Sequence, residues 1–244
     1  MPLMTQNTDP ARPLIVAIDG PSGAGKGTVA RELAARLHYR HVDTGAMYRA
    51  VAWRAVHDEL DLQNEDALAE LAARVRIEVS DGVVQVDGHD VRQAIRTPEI
   101  DSASTAVARQ PRVRAILIRQ QREMGARGGV VMEGRDIGTV VFPDAEVKVY
   151  LDASPEERAR RRAHDPAHAA GKGGAAVHEV ASALAARDRS DTTRAASPLA
   201  VAPDAVVVDT TGLSIDEVVD RVMALVAQRH CEKGNPGGSN RRER

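Results

Sequence analysis

The amino-acid sequence predicts an α/β protein, built on a parallel sheet covered by helices on both faces. Apolar runs of strand length recur at Leu14–Ile18, Val130–Met132, Val147–Leu151 and Ala205–Val208. Such uninterrupted runs mark strands buried on both faces, and the stretches between them carry helical patterns. Glycine-rich or charged segments follow the first three runs, where ligands gather in sheets of this kind, beyond the carboxyl ends of the strands.

The chain has 244 residues, 43% of them hydrophobic, enough for one large domain with its own core. Its net charge of −2 gives no overall basic field for nucleic acid or an acidic membrane surface. Aromatic residues make up 2% of the chain, so stacking platforms for single-stranded nucleic acid are not expected. The one cysteine, Cys231, excludes an internal disulfide framework and a cysteine zinc cluster, which points to a reducing cytoplasm.

Taken in order, residues 1–12 and 231–244 are polar ends expected to be disordered, around a folded unit of residues 13–230. The start, Met1 to Pro13, lacks the basic and apolar blocks of an export signal, and no run approaches the roughly 20 apolar residues of a membrane span. The expectation is a soluble, unexported protein. After the strand Leu14–Ile18 comes Gly20-Pro21-Ser22-Gly23-Ala24-Gly25-Lys26-Gly27-Thr28. This is the pattern of a nucleoside-triphosphate cradle: glycines turn backbone N–H groups toward phosphate oxygens, Lys26 reaches the terminal phosphates, and a helix start adds its positive dipole end. Gly27 fills the slot that usually holds a Mg²⁺-binding hydroxyl, and Thr28 follows one residue later.

The segment Asp43-Thr44-Gly45-Ala46-Met47-Tyr48-Arg49 opens a helix that Thr44 can cap, with Arg49 about one turn beyond Gly45. A guanidinium there favours a phosphate near the helix entry. Val75–Val91, with two Asp-Gly pairs, predicts short antiparallel strands inserted in the α/β pattern, either a surface hairpin or a substrate-side flap. Glu133-Gly134-Arg135-Asp136 follows the second buried run, and Asp152 the third. Between Ser154 and Arg194 two arginine-rich helical stretches flank Gly171-Lys172-Gly173-Gly174, a flexible connection. Arg158, Arg161 and Arg162 stand at i, i+3 and i+4, on one helical face. His164 and His168 share helical spacing, but Pro166 between them and the absence of a zincin glutamate argue against a metal site.

The Gly20–Thr28 loop, with glycine after the lysine, resembles that of nucleoside monophosphate kinases. Together with Asp43–Arg49, the run Arg135-Asp136-Ile137-Gly138-Thr139-Val140-Val141-Phe142-Pro143-Asp144, and Arg187, Asp191 and Arg194, it resembles the bacterial cytidylate kinase family, with the motifs in the same order. The likeness runs from about Pro13 to about Gln228. It implies a core parallel sheet, a monophosphate-binding insertion over about 44–126, a mobile lid over about 158–187, and a monomer using ATP with its Mg²⁺ and CMP or dCMP. It further implies that Arg49, Arg135 and Arg194 receive the acceptor phosphate, that Arg187 and Asp191 are nearby phosphate and ribose contacts, and that Thr44 belongs to the same CMP-binding set. By the same likeness Thr105, Arg114 and Asp136 read the cytosine ring, while Lys26, Arg158, Arg161 and Arg162 act on the transferring phosphoryl. Glu133 stands where the family often has aspartate.

Chemically, Asp136 can accept from the exocyclic amine of cytosine, whereas uracil presents a carbonyl there. A kinase for UMP or AMP on the same architecture is the alternative reading. Asp209-Thr210-Thr211-Gly212 matches a switch-GTPase DxxG, but it lies too far along the chain and no Asn-Lys-x-Asp motif accompanies it. Nucleic-acid binding through the arginine-rich helices is opposed by the balanced charge and scarce aromatics.

Overall fold

The computed structural model describes residues 13–165 and 177–234. The expected tail of residues 1–12, the glycine connection Gly171–Gly174 and residues 235–244 lie outside them. Five parallel strands form the central sheet: β1 (Ile15–Asp19), β2 (Arg40–Asp43), β6 (Val130–Gly134), β7 (Val147–Asp152) and β8 (Val206–Asp209), in the order β2-β6-β1-β7-β8. Four of these coincide with the apolar runs. The fifth, β2, carries Arg40, His41 and Asp43 among its four residues and gives no apolar run, although His41 and Val42 are both buried: the buried histidine is polar and is paired with Glu133.

Helices α1 (Lys26–Leu37) and α8 (Ile215–Gly234) cover one face, where Leu14, Ile18, Leu33, Val149, Leu151, Val219 and Val222 are buried together. The opposite face buries Ala17, Val42, Met132, Ile137 and Val141. Residues 231–234, expected in the C-terminal tail, instead continue α8: no glycine or proline interrupts the chain from Ile215 until Gly234, a residue suited to ending a helix. Lys233 near this end pairs with Glu146 at 2.7 Å.

A second, separate core lies between α2 (Thr44–His57), α3 (Glu65–Arg74), α4 (Pro98–Val107), α5 (Pro111–Gly125) and the antiparallel strands β3 (Ile77–Ser80), β4 (Val83–Val86) and β5 (His89–Asp90). Met47, Val51, Leu68, Leu71, Val86, Ile95 and Leu117 are among its buried members. Both turns of this small sheet are Asp-Gly pairs with positive φ at each residue, 50° and 81° at Asp81-Gly82 and 50° and 80° at Asp87-Gly88. That is the backbone a two-residue hairpin of right-twisted strands demands. Ile77, Val79, Val84 and Val86 face inward, which makes the hairpin a wall of this core; no residue from Val75 to Val91 lines the cleft described below, so the flap alternative is not supported. Helices α6 (Pro155–Ala163) and α7 (Val177–Thr193) pack through Ala159, Val180 and Leu184.

The parallel register brings the ends of the strands level. Asp43 pairs with Glu133 across β2 and β6, and Asp19 with Gly134 across β1 and β6. The motifs after β1, β2 and β6 therefore meet at one edge of the sheet.

Candidate active site

The loop after β1 is held by close backbone packing. A Cβ on Gly20, whose φ is 147°, would stand 2.0 Å from the Leu151 carbonyl oxygen, so only glycine lets β1 turn this tightly against β7. Gly25, with φ 89°, caps α1 and has no side chain to satisfy the first amides. These amides at a helix N-terminus are left for an anion. Ser22, Gly23, Ala24, Gly25, Lys26, Gly27 and Thr28 line a cleft of about 660 Å³, whereas Gly20 and Pro21, expected to touch the nucleotide, stand behind it. Lys26 donates to the Pro21 carbonyl at 2.7 Å and closes the loop on itself. Burial, helped by the neighbouring Arg135, lowers the Lys26 ammonium to about 7.

Asp19, at the end of β1, accepts from the amides of Ile137 at 2.9 Å and Gly138 at 2.7 Å. It thereby fixes the turn that follows Arg135 and Asp136. Burial pushes its carboxyl up to about 6 despite those two donors.

Across the cleft, α2 is capped by Asp43, whose side chain accepts from Ala46 N at 2.9 Å. Thr44, expected as the cap, is the first helical residue instead, and its hydroxyl donates to the Glu133 carbonyl at 2.7 Å. Asp43 also pairs with Arg49 at 2.9 Å. Arg135 pairs with Asp191 at 2.9 Å, and Arg194 reaches Asp191 at 3.4 Å while donating to the Ser197 carbonyl at 2.7 Å. Arg187 reaches Asp101 at 3.4 Å. Burial beside Arg135 lowers Arg187 to about 10, the mark of cations crowded together with too few anions. Burial opposes ionisation of Asp191, yet Arg135, Arg187 and Arg194 hold its carboxyl below the ordinary range.

Farther in, Arg114 donates to Asp136 at 2.5 Å and lies 5.1 Å over the Tyr48 ring. Arg194 comes within 3.7 Å of the other Asp136 oxygen. Thr105 lines the same end, its hydroxyl donating to the Asp101 carbonyl. Arg49 Nε, Arg114 Nε and one terminal nitrogen of Arg194 are buried without a hydrogen-bond partner. Since buried N–H groups are nearly always paired, three such donors around one cleft describe a site built for an anionic ligand rich in acceptors.

The α6 arginines divide. Arg161 donates to the Thr210 hydroxyl and carbonyl at 2.9 and 2.7 Å, Arg162 pairs with Asp101 at 2.8 Å, and both line the cleft. Arg158, expected beside them over the phosphoryl group, does not line it. Its guanidinium is buried beneath the loop, donating to the carbonyls of Ala153 at 3.2 Å and Ser22 at 3.1 Å and pairing with Asp188. Arg158 therefore supports the phosphate loop. Arg96 and Arg160 also line the cleft and were not singled out in the sequence, where no motif distinguishes them from other surface arginines.

Among the described residues, no three His, Cys, Asp or Glu side chains form a metal cage. A magnesium ion held by substrate phosphates needs only one or two carboxylates. Glu133 meets that requirement: buried, it ends 3.0 Å from where a Cβ on Gly27 would be, against the phosphate loop. No described helix is long and apolar enough to cross a membrane.

A family model described as cytidylate kinase matches residues 16–228. The cytidylate kinase of Geobacter sulfurreducens is 49% identical over 230 residues, covering 93% of this chain and 97% of its own. That of Solibacter usitatus is 47% identical over 216 residues, covering 88% and 93%, and that of Pelotomaculum thermopropionicum 48% over 219 residues, covering 87% and 95%. With an intact phosphate loop facing a buried arginine cluster in one cleft, and with this likeness along nearly its whole length, the chain belongs to the cytidylate kinase family of phosphotransferases.

Proposed function

We propose that the chain transfers the γ-phosphate of ATP to CMP or dCMP, giving ADP and CDP or dCDP, as a monomer in cytoplasmic pyrimidine nucleotide metabolism. The observation that carries this reading is the single cleft lined by the Ser22–Thr28 loop with Lys26 and by Arg49, Arg114 and Arg194, each of which has one buried guanidinium nitrogen without a hydrogen bond. ATP phosphates rest on the loop amides and Lys26. The acceptor phosphate lies among Arg49, Arg135 and Arg194, with Thr44 at the helix entry and Arg187 and Asp191 toward phosphate and sugar. The insertion of residues 44–126 serves as the monophosphate-binding part.

At the base, Arg114 holds one Asp136 oxygen, and the other, with Arg194 at 3.7 Å but no hydrogen bond, accepts from the exocyclic amine of cytosine. Arg114 Nε, buried without a partner, supplies a donor to the acceptor edge of the ring, and Thr105 adds a hydroxyl. Uracil turns a carbonyl toward the carboxylate, and a polar site rejects such a mismatch far more strongly than apolar shape alone.

Transfer is an in-line displacement. An oxygen of the acceptor phosphate bonds to the γ-phosphorus as the bond to the β,γ-bridging oxygen breaks, and ADP leaves with that electron pair. The protein contributes positioning and charge neutralisation, with Lys26, Arg161 and Arg162 around the moving phosphoryl. Glu133 would help to hold the Mg²⁺ carried with ATP, which would supply neutralisation of charge on the phosphate oxygens. ³¹P NMR of a mixture of Mg²⁺-ATP and CMP with catalytic protein tests the reading: ADP and CDP should rise in equal amounts, and unchanged spectra with every monophosphate acceptor would overturn it.

A further inference from the structure

Behind the carboxylate that faces the phosphate loop lies a buried polar contact that no substrate assignment uses. His41, on edge strand β2, is 4% exposed, and its Nε2 lies 3.1 Å from Glu133 Oε1, a carboxylate 7% exposed. A carboxylate only accepts, so the imidazole N–H donates. The His41 backbone is itself held on both sides by the first hairpin turn: its N–H donates to the Asp81 carboxylate at 3.0 Å, and its carbonyl accepts from Asp81 N at 3.1 Å. Three residues further on, at the first position of α2, the Thr44 hydroxyl donates to the Glu133 carbonyl at 2.7 Å. Glu133 is thus gripped at its backbone and at its carboxylate by one short stretch of chain, while that carboxylate faces Gly27. A free glutamate has several rotatable bonds to immobilise before it can serve a cation, and a buried donor removes that entropy beforehand.

We infer that His41 is a positioning residue that holds the Glu133 carboxylate in place to receive a divalent cation carried on the nucleotide. The inference rests on the phosphotransfer reading above. Its test is electron paramagnetic resonance of Mn²⁺ retained by the protein–ADP complex, with thermal midpoint and CMP affinity by calorimetry measured alongside. Outer-shell partners of metal sites typically contribute about 10- to 100-fold in metal affinity. His41→Leu is therefore expected to weaken Mn²⁺ retention about tenfold while CMP affinity stays within about twofold. His41→Gln, which keeps an N–H near the Nε2 position, should restore most of the loss. His41→Asn, polar but too short to reach Glu133, should behave as His41→Leu does, and it keeps the test open if the leucine variant does not fold. Mn²⁺ retention equal to wild type in His41→Asn, or equal losses of CMP affinity and midpoint with no separate change in Mn²⁺ retention, overturns the inference alone. Failure of the wild-type protein to hold Mn²⁺-ADP at all overturns the phosphotransfer reading together with it.

Discussion

Nucleotide binding should draw a proton onto Lys26. Its ammonium is lowered to about 7 by burial and by Arg135, while it donates to the neutral Pro21 carbonyl. Phosphate oxygens arriving on the loop favour the charged form and return the group toward the ordinary lysine range. With a free-state value of about 7, about nine-tenths of the molecules carry a neutral Lys26 at pH 8, about half at pH 7 and about one-tenth at pH 6. Binding at those values should take up about 0.9, 0.5 and 0.1 proton respectively. The same linkage makes affinity about tenfold weaker at pH 8 than at pH 6 through this group. Calorimetric titration with Mg²⁺-ADP at pH 8, in buffers of different ionisation enthalpy, reads the proton number as the slope of apparent enthalpy. Lys26→Arg, charged throughout, should reduce that slope nearly to zero. A wild-type slope near zero at pH 8, or an unchanged slope in Lys26→Arg, would show that Lys26 does not take up the proton.

Further outcomes follow from the groups around the loop. Asp19 titrates at about 6 in the fold against 3.8 for the ordinary group, so the folded state binds more protons across that interval. Its contribution to stability is full below about 4 and declines as pH rises through 6, by about 3 kcal/mol in all. Urea unfolding at pH 5 and pH 8 should accordingly show the stability of wild type relative to Asp19→Asn improving at the lower pH; a gap independent of pH would contradict this. Arg158→Ala removes the partner of Asp188 and the brace under Ser22. It should lower stability by roughly 3 kcal/mol, the loss expected when one member of a buried ion pair is deleted, read as a fall in thermal midpoint. Unchanged stability with lost turnover would return Arg158 to the role over the phosphoryl group. Asp136→Asn should reduce kcat/KM for CMP by at least about 10²-fold, with ADP affinity unaltered, as measured by steady-state kinetics and calorimetry.

The sequence was most legible where geometry depends on residue type. Four core strands appear as apolar runs, the phosphate loop follows from glycines and a lysine at fixed spacing, and both hairpin turns follow from Asp-Gly. Strand β2 is hidden because three of its four residues are polar: His41 is buried against Glu133, and Asp43 accepts from the Ala46 amide. Capping by Asp43 in place of Thr44 was equally hidden, since either residue can cap and only the Glu133 carbonyl, 89 residues away, claims the threonine hydroxyl. The α6 arginines show why helical spacing is not enough. It put Arg158, Arg161 and Arg162 on one face, but Asp188 from α7 and the Ser22 carbonyl draw Arg158 beneath the loop. Long-range partners of this kind leave no local signal in the chain.

Transfer to cytidine monophosphates is read most directly as ADP release coupled to a reporter reaction, with Mg²⁺-ATP and CMP, dCMP, UMP, AMP or no acceptor compared side by side. Strong turnover is expected with CMP and dCMP, weak turnover with UMP and AMP, and only slow hydrolysis with no acceptor. Turnover confined to AMP or UMP would contradict the reading of Arg114 and Asp136 as the groups that select cytosine, and equal turnover without any acceptor would contradict transfer itself.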